Sequence, residues 1–334
     1  MLAVDSQQTP SPLLTVVIPT HRRPKLLIAA IESALRASHN DSVEVIVVPN
    51  GFDESWREVQ RQYSHKPEVR WLPIPRAHAN SARNHGMQAA RGSFIRFLDD
   101  DDALRPEGAQ RQLMLAEEMG LDIVSGAVTV VDESMHALNQ LSHAARSDLF
   151  SSMANPARIC LPVSHLFRLA SISQFQWAED LPFEQDTEWM LRLAAARQWK
   201  WVAIDDVVGY WRWHDAERTS GRGNREDHAR ITTDLLLHHA KALKPSGRLS
   251  RENQSAVLDA VFENARANFP ESPRWWGRAM KTAQDFAPGL RARNRFYDLP
   301  VIRHFDPVLT EWALLPMRWV SRRIRATRRI RHFR

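Results

Sequence analysis

The sequence predicts an α/β fold built on a mainly parallel sheet with covering helices. Two observations carry that prediction. Short apolar, β-branched runs alternate with segments of helical periodicity. One such run, Phe94-Ile95-Arg96-Phe97-Leu98, ends in four successive carboxylates, Asp99-Asp100-Asp101-Asp102.

Residues 13–18 read as the first strand, stopped by Pro19-Thr20-His21-Arg22-Arg23-Pro24, with Pro24 suited to the first turn of a helix. Leu26, Leu27, Ala30, Ile31, Ala34 and Leu35 then recur at helical spacing. Residues 43–48 form a second strand, ended by Pro49-Asn50-Gly51; a helix-compatible segment with Trp56 and Val59 and a short strand at 69–72 follow. Residues 81–90 read as a helix closed by Gly92, and the aspartate-tipped strand comes next. Side chains alternate along an extended chain, so Asp99 and Asp101 are expected to point the same way, and Asp102 is suited to cap a following helix. That helix spans 106–119, and a strand spans 122–131. Residues 142–162 are irregular and suit an acceptor-side loop. A helix at 187–196 and a strand at 199–208 complete the pattern.

In open α/β sheets ligands bind beyond the carboxyl ends of the strands. Those ends carry Pro19, Thr20, His21 and Arg22, then Asn50, then the four aspartates. A ring, cations, an amide and carboxylates in one crevice suit a nucleoside diphosphate. Four adjacent anions demand a cationic counter-charge, and a hard divalent ion with oxygen ligands meets the need. No glycine-rich dinucleotide fingerprint or phosphate-loop motif follows the first strand, so neither a dinucleotide oxidoreductase nor a phosphate-loop nucleotidase is indicated.

The runs Thr15-Val16-Val17-Ile18-Pro19-Thr20-His21-Arg22-Arg23, Glu44-Val45-Ile46-Val47-Val48, Ala82-Arg83-Asn84-His85-Gly86 and Phe97-Leu98-Asp99-Asp100-Asp101-Asp102 together resemble a family 2 glycosyltransferase of the GT-A fold. The resemblance implies transfer of a sugar from a nucleotide-sugar donor, with inversion, to a hydroxyl of a saccharide or lipid-linked acceptor. It also implies Mn²⁺ or Mg²⁺ as cofactor and a place in cell-surface polysaccharide or glycoconjugate synthesis. Asp99 and Asp101 match the family's Asp-x-Asp, which binds the donor ribose and the metal on the diphosphate; Asp100 lies between them on the donor side. Arg83 matches an arginine near the donor. His21 stands where the family often has an aromatic residue against the base, and is equally readable as a loop histidine packed on Arg22. Where the family often has paired aspartates after its second strand this chain has Pro49-Asn50, and Asn50 can both donate to and accept from a base edge. Before the helix at 187–196, Asp186 matches the family's catalytic base while Gln185 replaces its partner acid; Glu184 is the reserve candidate. Tyr210, Arg212 and His214 resemble the segment that closes the donor site, with His214 a further metal ligand or diphosphate contact.

The resemblance covers residues 13–220; residues 1–12 read as a disordered start, 221–316 as a helical region and 317–334 as a basic tail. Gly221-Arg222-Gly223-Asn224 reads as a flexible connection, residues 231–243 and 255–268 have helical spacing, and 270–315 yields no assignment. The net charge is +6, and eight arginines without an acid crowd residues 317–334. Such an end suits an anionic leaflet, giving an expectation of a cytoplasmic protein with peripheral contact at the inner face of the membrane. The polar N-terminus shows no signal peptide, and no run approaches the ~20 apolar residues of a membrane span. The main reading has no specific nucleic-acid partner; a nucleic-acid-binding protein working through this tail and a domain that binds a nucleotide sugar without turnover are the rival readings.

Overall fold

A computed structural model describes residues 11–38, 42–144, 146–213 and 224–331, with side chains through residue 321. The chain divides into two compact units: Met1–Ala145, Ile159–Leu181 and Trp199–Glu217 form one, and Arg146–Arg158, Pro182–Gln198 and Arg218–Arg334 the other.

The first unit holds a nine-stranded mixed sheet. Its strands are β1 (Leu14–Thr20), β2 (Val43–Pro49), β3 (Val69–Trp71), β4 (Phe94–Phe97), β5 (Ala103–Leu104), β6 (Ile123–Val131), β7 (Ala137–Leu141), β8 (His165–Arg168) and β9 (Trp201–Arg212). They lie in the order β3-β2-β1-β4-β8-β6-β9-β5, with β7 on β6. The first four are parallel; β8 runs antiparallel to both β4 and β6, and β9 parallel to β6. Helices α1 (Pro24–Leu35), α2 (Trp56–Gln62), α3 (Ala79–Ala89) and α4 (Pro106–Glu118) carry the crossovers. β1 and β2 are buried along their whole length, which is why both read as mostly apolar rather than alternating runs, with Glu44 in β2 held by Thr15, Arg70 and Arg91. From β1 the order runs to β2 and β3 on one side and to β4 on the other. That reversal is the switch point at which α/β sheets open a crevice for ligands.

The second unit, among the described residues, is helical: α5 (Leu149–Met153), α7 (Gln185–Ala196), α8 (Arg225–Leu243), α9 (Arg251–Asn268), α10 (Pro273–Phe286) and α11 (Pro307–Arg331). The short α6 (Leu169–Ile172) belongs to the first unit. Asn224 starts α8 with a full capping box, accepting from Glu226 N and Asp227 N while the Asp227 carboxylate accepts from Asn224 N.

Several expectations need correction. Within the span 13–220, α5 and α7 pack on helices α8 and α9 and group with them in the second compact unit. The stretch 142–162 contains α5. β9 runs past residue 208 to Arg212, since Gly209 to Arg212 continue to pair with β6. The unassigned 270–315 holds α10 and the start of α11, missed because the spacing is masked by interleaved arginines and tryptophans. The basic tail does not begin a new segment at residue 317: α11 passes through Pro316 and continues to Arg331. Residues 1–10 and 221–223, read as a disordered start and a flexible connection, lie outside the described residues, as does His214.

Candidate active site

The carboxyl ends of β1, β2 and β4 meet through hydrogen bonds rather than by proximity alone. Asn50 donates both its backbone N–H (3.0 Å) and its side-chain Nδ2 (2.9 Å) to Thr20 O. His21 Nδ1 lies 2.6 Å from Asn50 O, and a carbonyl can only accept, so the ring carries its proton on Nδ1. Thr20 Oγ1 donates to Asp100 Oδ2 at 2.7 Å, fastening the end of β1 to the acidic tip of β4. Gly51 follows Asn50 with φ +85; a Cβ there would stand 2.9 Å from Ala77 Cβ and 3.2 Å from His21 Cε1. A side chain at 51 would therefore strain the backbone and displace the histidine.

The four aspartates do not continue β4. The strand ends at Phe97, and residues 99–102 form a turn closed by Asp102 N donating to Asp99 O at 3.1 Å. The expectation that alternation along an extended strand would align Asp99 with Asp101 therefore has the wrong cause. The turn brings carboxylate oxygens of Asp99, Asp101 and Asp102 within 4.8 Å of one another. Asp100 is turned into the sheet and nearly buried, accepting from Thr20, from His21 N (3.4 Å) and from Arg23 (3.3 Å). Burial, with the charge of Asp101 beside it, pushes its pKa up to about 7 against the pull of Arg23 and Thr20. Asp102 caps no helix; its Oδ1 accepts from Arg212 N at 3.0 Å and so ties the tip of β4 to the end of β9. α4 instead begins at Pro106, without a side-chain cap.

Part of the counter-charge is the protein's own. Arg23 NH1 sits 2.6 Å from Asp101 Oδ2 and 3.3 Å from Asp100 Oδ1. Burial would lower the pKa of Arg23, but the two aspartates outweigh it and hold it above the ordinary value. Arg83, buried in α3, donates to Asp99 Oδ1 at 2.6 Å and to Asn80 Oδ1 at 2.7 Å, with its guanidinium 4.7 Å over the Trp177 ring. α3 also pins the stretch after Gln176. Asn84 Oδ1 accepts from Trp177 N (2.7 Å) while its Nδ2 donates to Trp177 O (3.0 Å) and Glu179 Oε1 (2.9 Å). Ser81 Oγ donates to Glu179 Oε2 at 2.6 Å. The run Ala82-Arg83-Asn84 thus places one arginine and one loop from a single helical turn.

Pro19 lies inside β1, paired with Val48. Arg22 is exposed with φ 58, and its N–H donates to Asp53 Oδ2 at 2.9 Å. Three residues hold positions that the sequence does not assign to them. Arg23 reads there as one more charge in a turn, although a cation three residues past a strand end, facing an acidic strand end, was a usable signal. Asp102 reads as a cap. Asp53, in the loop where the family's paired aspartates are often found, carries no periodicity signal.

In the second unit, Glu184 holds αL geometry (φ 57) at the start of α7. Its carboxylate accepts from Thr187 Oγ1 (2.8 Å) and Thr232 Oγ1 (3.1 Å) and pairs with His228 Nδ1 (2.8 Å). Asp186 is half-buried in the first turn of α7, where a carboxylate is favoured by the helix dipole. It is not the helix cap, the position taken by Glu184. Trp189, Met190, Leu193 and Ala194 face the core as their spacing implies.

A divalent ion is implied by the family, and the donor set fits one: three carboxylates within 4.8 Å of one another offer hard oxygen ligands to a hard cation. The profile of "Glycosyl transferase family 2" matches residues 15–199, more than half of the 334-residue chain. The chain belongs to glycosyltransferase family 2. Succinoglycan biosynthesis protein ExoO of Rhizobium meliloti (strain 1021) is 32% identical over 134 residues, 40% of this chain and 38% of that protein. The chain thus matches well under half the length of that relative. Among solved structures, S. aureus TarS 1-349 in complex with UDP-GlcNAc superposes with a TM-score of 0.64 at 16% identity, covering 82% of this chain and 81% of TarS. Mannosyltransferase PcManGT from Pyrobaculum calidifontis, in complex with GDP-Man and Mn²⁺, gives 0.50 at 18% identity, covering 92% of this chain and 84% of that one. These likenesses establish the GT-A fold with a helical C-terminal region.

Proposed function

We propose that the chain is a metal-dependent, inverting glycosyltransferase that moves a sugar from a nucleotide-sugar donor to a hydroxyl of a saccharide or lipid-linked acceptor. The observation that carries this reading is the convergence of Asp99, Asp101 and Asp102 at the switch point of the sheet, fastened to Thr20 and Asn50 through Asp100. TarS bound UDP-GlcNAc and PcManGT bound GDP-Man with Mn²⁺, which supports the same ligand class here. The relative named for succinoglycan biosynthesis supports a polysaccharide acceptor.

Asp101, with Asp99 and Asp102 beside it, would hold Mn²⁺ or Mg²⁺, which when bound offsets the negative charge of the departing diphosphate. Asp186 takes the proton from the acceptor hydroxyl as that oxygen forms its bond to the anomeric carbon. The bond from that carbon to the diphosphate oxygen breaks on the opposite face, and the electron pair leaves with the diphosphate. Asp186 is favoured over Glu184 because it is the residue that matches the family's base, while Glu184 accepts from two hydroxyls and pairs with an imidazole. Arg23 pairs with Asp101 and Arg83 with Asp99, which fixes the orientation of those two carboxylates. His21 and Asn50 border the position of the base.

The test is a thermal-shift titration of UDP- and GDP-sugars with and without Mn²⁺. A donor should raise the melting temperature only when the metal is present, in keeping with the ~3 kcal/mol of stabilisation expected at a hundredfold excess over Kd. Asp101→Ala should abolish that shift. A full metal-dependent shift in the variant would remove the metal site from the reading.

A further inference from the structure

α11 presents the reverse of an ordinary surface helix. Its acid is inside: Glu311 is fully buried, accepts from Tyr297 OH at 2.9 Å and pairs with both Arg266 and Arg318. Its exposed positions are apolar. Leu309 (68% exposed), Trp312 (41%), Met317 (61%), Trp319 (49%) and Val320 (58%) stand in solvent, and Ala313 and Pro316 complete the set of exposed residues between 307 and 321. At 3.6 residues per turn these seven fall on one face roughly 160° wide, with Glu311 and Arg318 on the opposite side. The buried ion network therefore fixes which face is outside.

This concentration is local. Of the thirteen exposed large apolar residues among those described, eight lie within 299–320, beginning with Leu299, Val301 and Phe305. An apolar patch on that scale marks a surface that meets something. The chain itself indicates what. Beyond Val320 the backbone stays helical to Arg331, and the sequence adds Arg322, Arg323, Arg325, Arg328, Arg329, Arg331 and Arg334 without one acid. A nucleic acid would use the arginines but leave the Leu, Met and Trp face unmatched. A second copy packed face to face would cover the apolar face but leave the arginine run without an anion. An anionic lipid surface matches both parts. No helix of the described residues is long and apolar enough to cross a membrane, so the contact would lie in the interface plane.

We propose that α11 is an interfacial membrane anchor: its Leu309–Met317–Val320 face enters the headgroup–acyl boundary of an anionic leaflet, and the arginine run that follows lies along the charged headgroups. Trp319, whose indole N–H donates to Pro270 O at 2.8 Å while half its ring is exposed, suits the level of the boundary.

The experiment is co-sedimentation of the full chain with vesicles of phosphatidylcholine alone and with 30% phosphatidylglycerol, alongside quenching of tryptophan fluorescence by brominated lipid. The full chain should pellet with the anionic vesicles, and Leu309→Glu/Val320→Glu should cut the bound fraction at least fivefold while its melting temperature stays unchanged. Trp319→Phe should lose part of the brominated-lipid quenching. The proposal is overturned if the wild type stays in the supernatant, or if the Glu variant pellets as fully as wild type, which would leave only arginine attraction. It is equally overturned if the same substitutions dissolve a dimer, or if nucleic acid shifts the protein, where vesicles do not bind.

Discussion

Carboxylates are used in two opposite ways in the two units. At the tip of β4 three of them are driven toward one another, Asp99, Asp101 and Asp102 within 4.8 Å, with Arg23 paired to Asp101 and Arg83 to Asp99. In the helical unit acids are paired off. Glu311 takes two guanidiniums and a phenol, and Glu184 takes two hydroxyls and an imidazole. Like charges held together keep an affinity for cations, because their repulsion is relieved only by binding or protonation. Acids saturated by their neighbours have no such affinity, and their role is to fix how helices sit. Clustering against saturation, more than burial, separates the carboxylates proposed to bind a cation from the structural ones here.

Asp186 is the residue that most directly challenges this division, since it lies in the helical unit but is assigned chemistry. Asp186→Asn is expected to lower turnover by 10²–10⁴-fold with donor-induced thermal stabilisation retained, the signature of a lost general base. Glu184→Gln is expected to keep turnover within tenfold and to lower stability by about 1–3 kcal/mol, because a partly buried hydrogen-bonding set is disturbed. Initial rates and melting curves on both variants decide it. The opposite pattern would transfer the base to Glu184 and end the distinction between saturated and working acids.

The structural half of the comparison is tested at Glu311. Glu311→Ala leaves Arg266 and Arg318 without their shared anion, and removing one member of a buried ion network costs about 3–5 kcal/mol. Denaturant unfolding should show that loss. A change under about 1 kcal/mol would mean that α11 is held by Leu315 and its apolar neighbours rather than by charge.

Buried bases sharpen the contrast further. His143 donates from Nε2 to Ser164 Oγ (2.9 Å), whose own hydroxyl donates to Gly126 O, while His143 Nδ1 is buried without a partner. Burial lowers its pKa to about 4, and His165, 5.5 Å away ring to ring and near Arg96, is pushed well below its ordinary value by burial and by His143. The unfolded chain binds a proton at about pH 6.5 and the folded one does not until about pH 4, so stability falls as pH drops across that window. His143 alone accounts for roughly 3 kcal/mol of that loss. Melting temperatures from pH 7.5 to 4.5 should decline, and His143→Gln should flatten the slope by about one proton. An unchanged slope would assign the acid sensitivity to His165 or another group whose pKa is lowered; Asp100, whose pKa is raised, acts in the opposite sense.

How much of this was legible in the sequence follows from the range of the forces involved. β1, β2, β4, α1 and α3 announced themselves because burial on a parallel sheet writes apolar runs and turn residues into contiguous sequence. The crevice followed from strand ends alone. The details of its charge did not: Arg23 meets Asp101 across 78 positions, and Asp102 meets Arg212 across 110. The turn at 99–102 replaced an extended strand because Asp102 N could close on Asp99 O, a choice that residue types leave open. α11 was illegible for a different reason. Periodicity detects an apolar stripe and assumes that it faces the core, whereas here Glu311 is buried and the stripe faces outward.

That inversion yields the smallest expected effect. Leu309→Gln and Val320→Gln remove apolar side chains that are 68% and 58% exposed, so folding loses little burial and stability should change by less than about 0.5 kcal/mol. Leu315, one turn away and 6% exposed, provides the internal control: Leu315→Ala should cost about 2–5 kcal/mol on the same helix. Urea midpoints of the three variants make the measurement. If the Gln substitutions cost as much as Leu315→Ala, the face read as outward is packed in the folded protein, and the division between an apolar exterior and an ionic interior on α11 fails. If they cost nothing, that face is maintained without benefit to the fold of the chain.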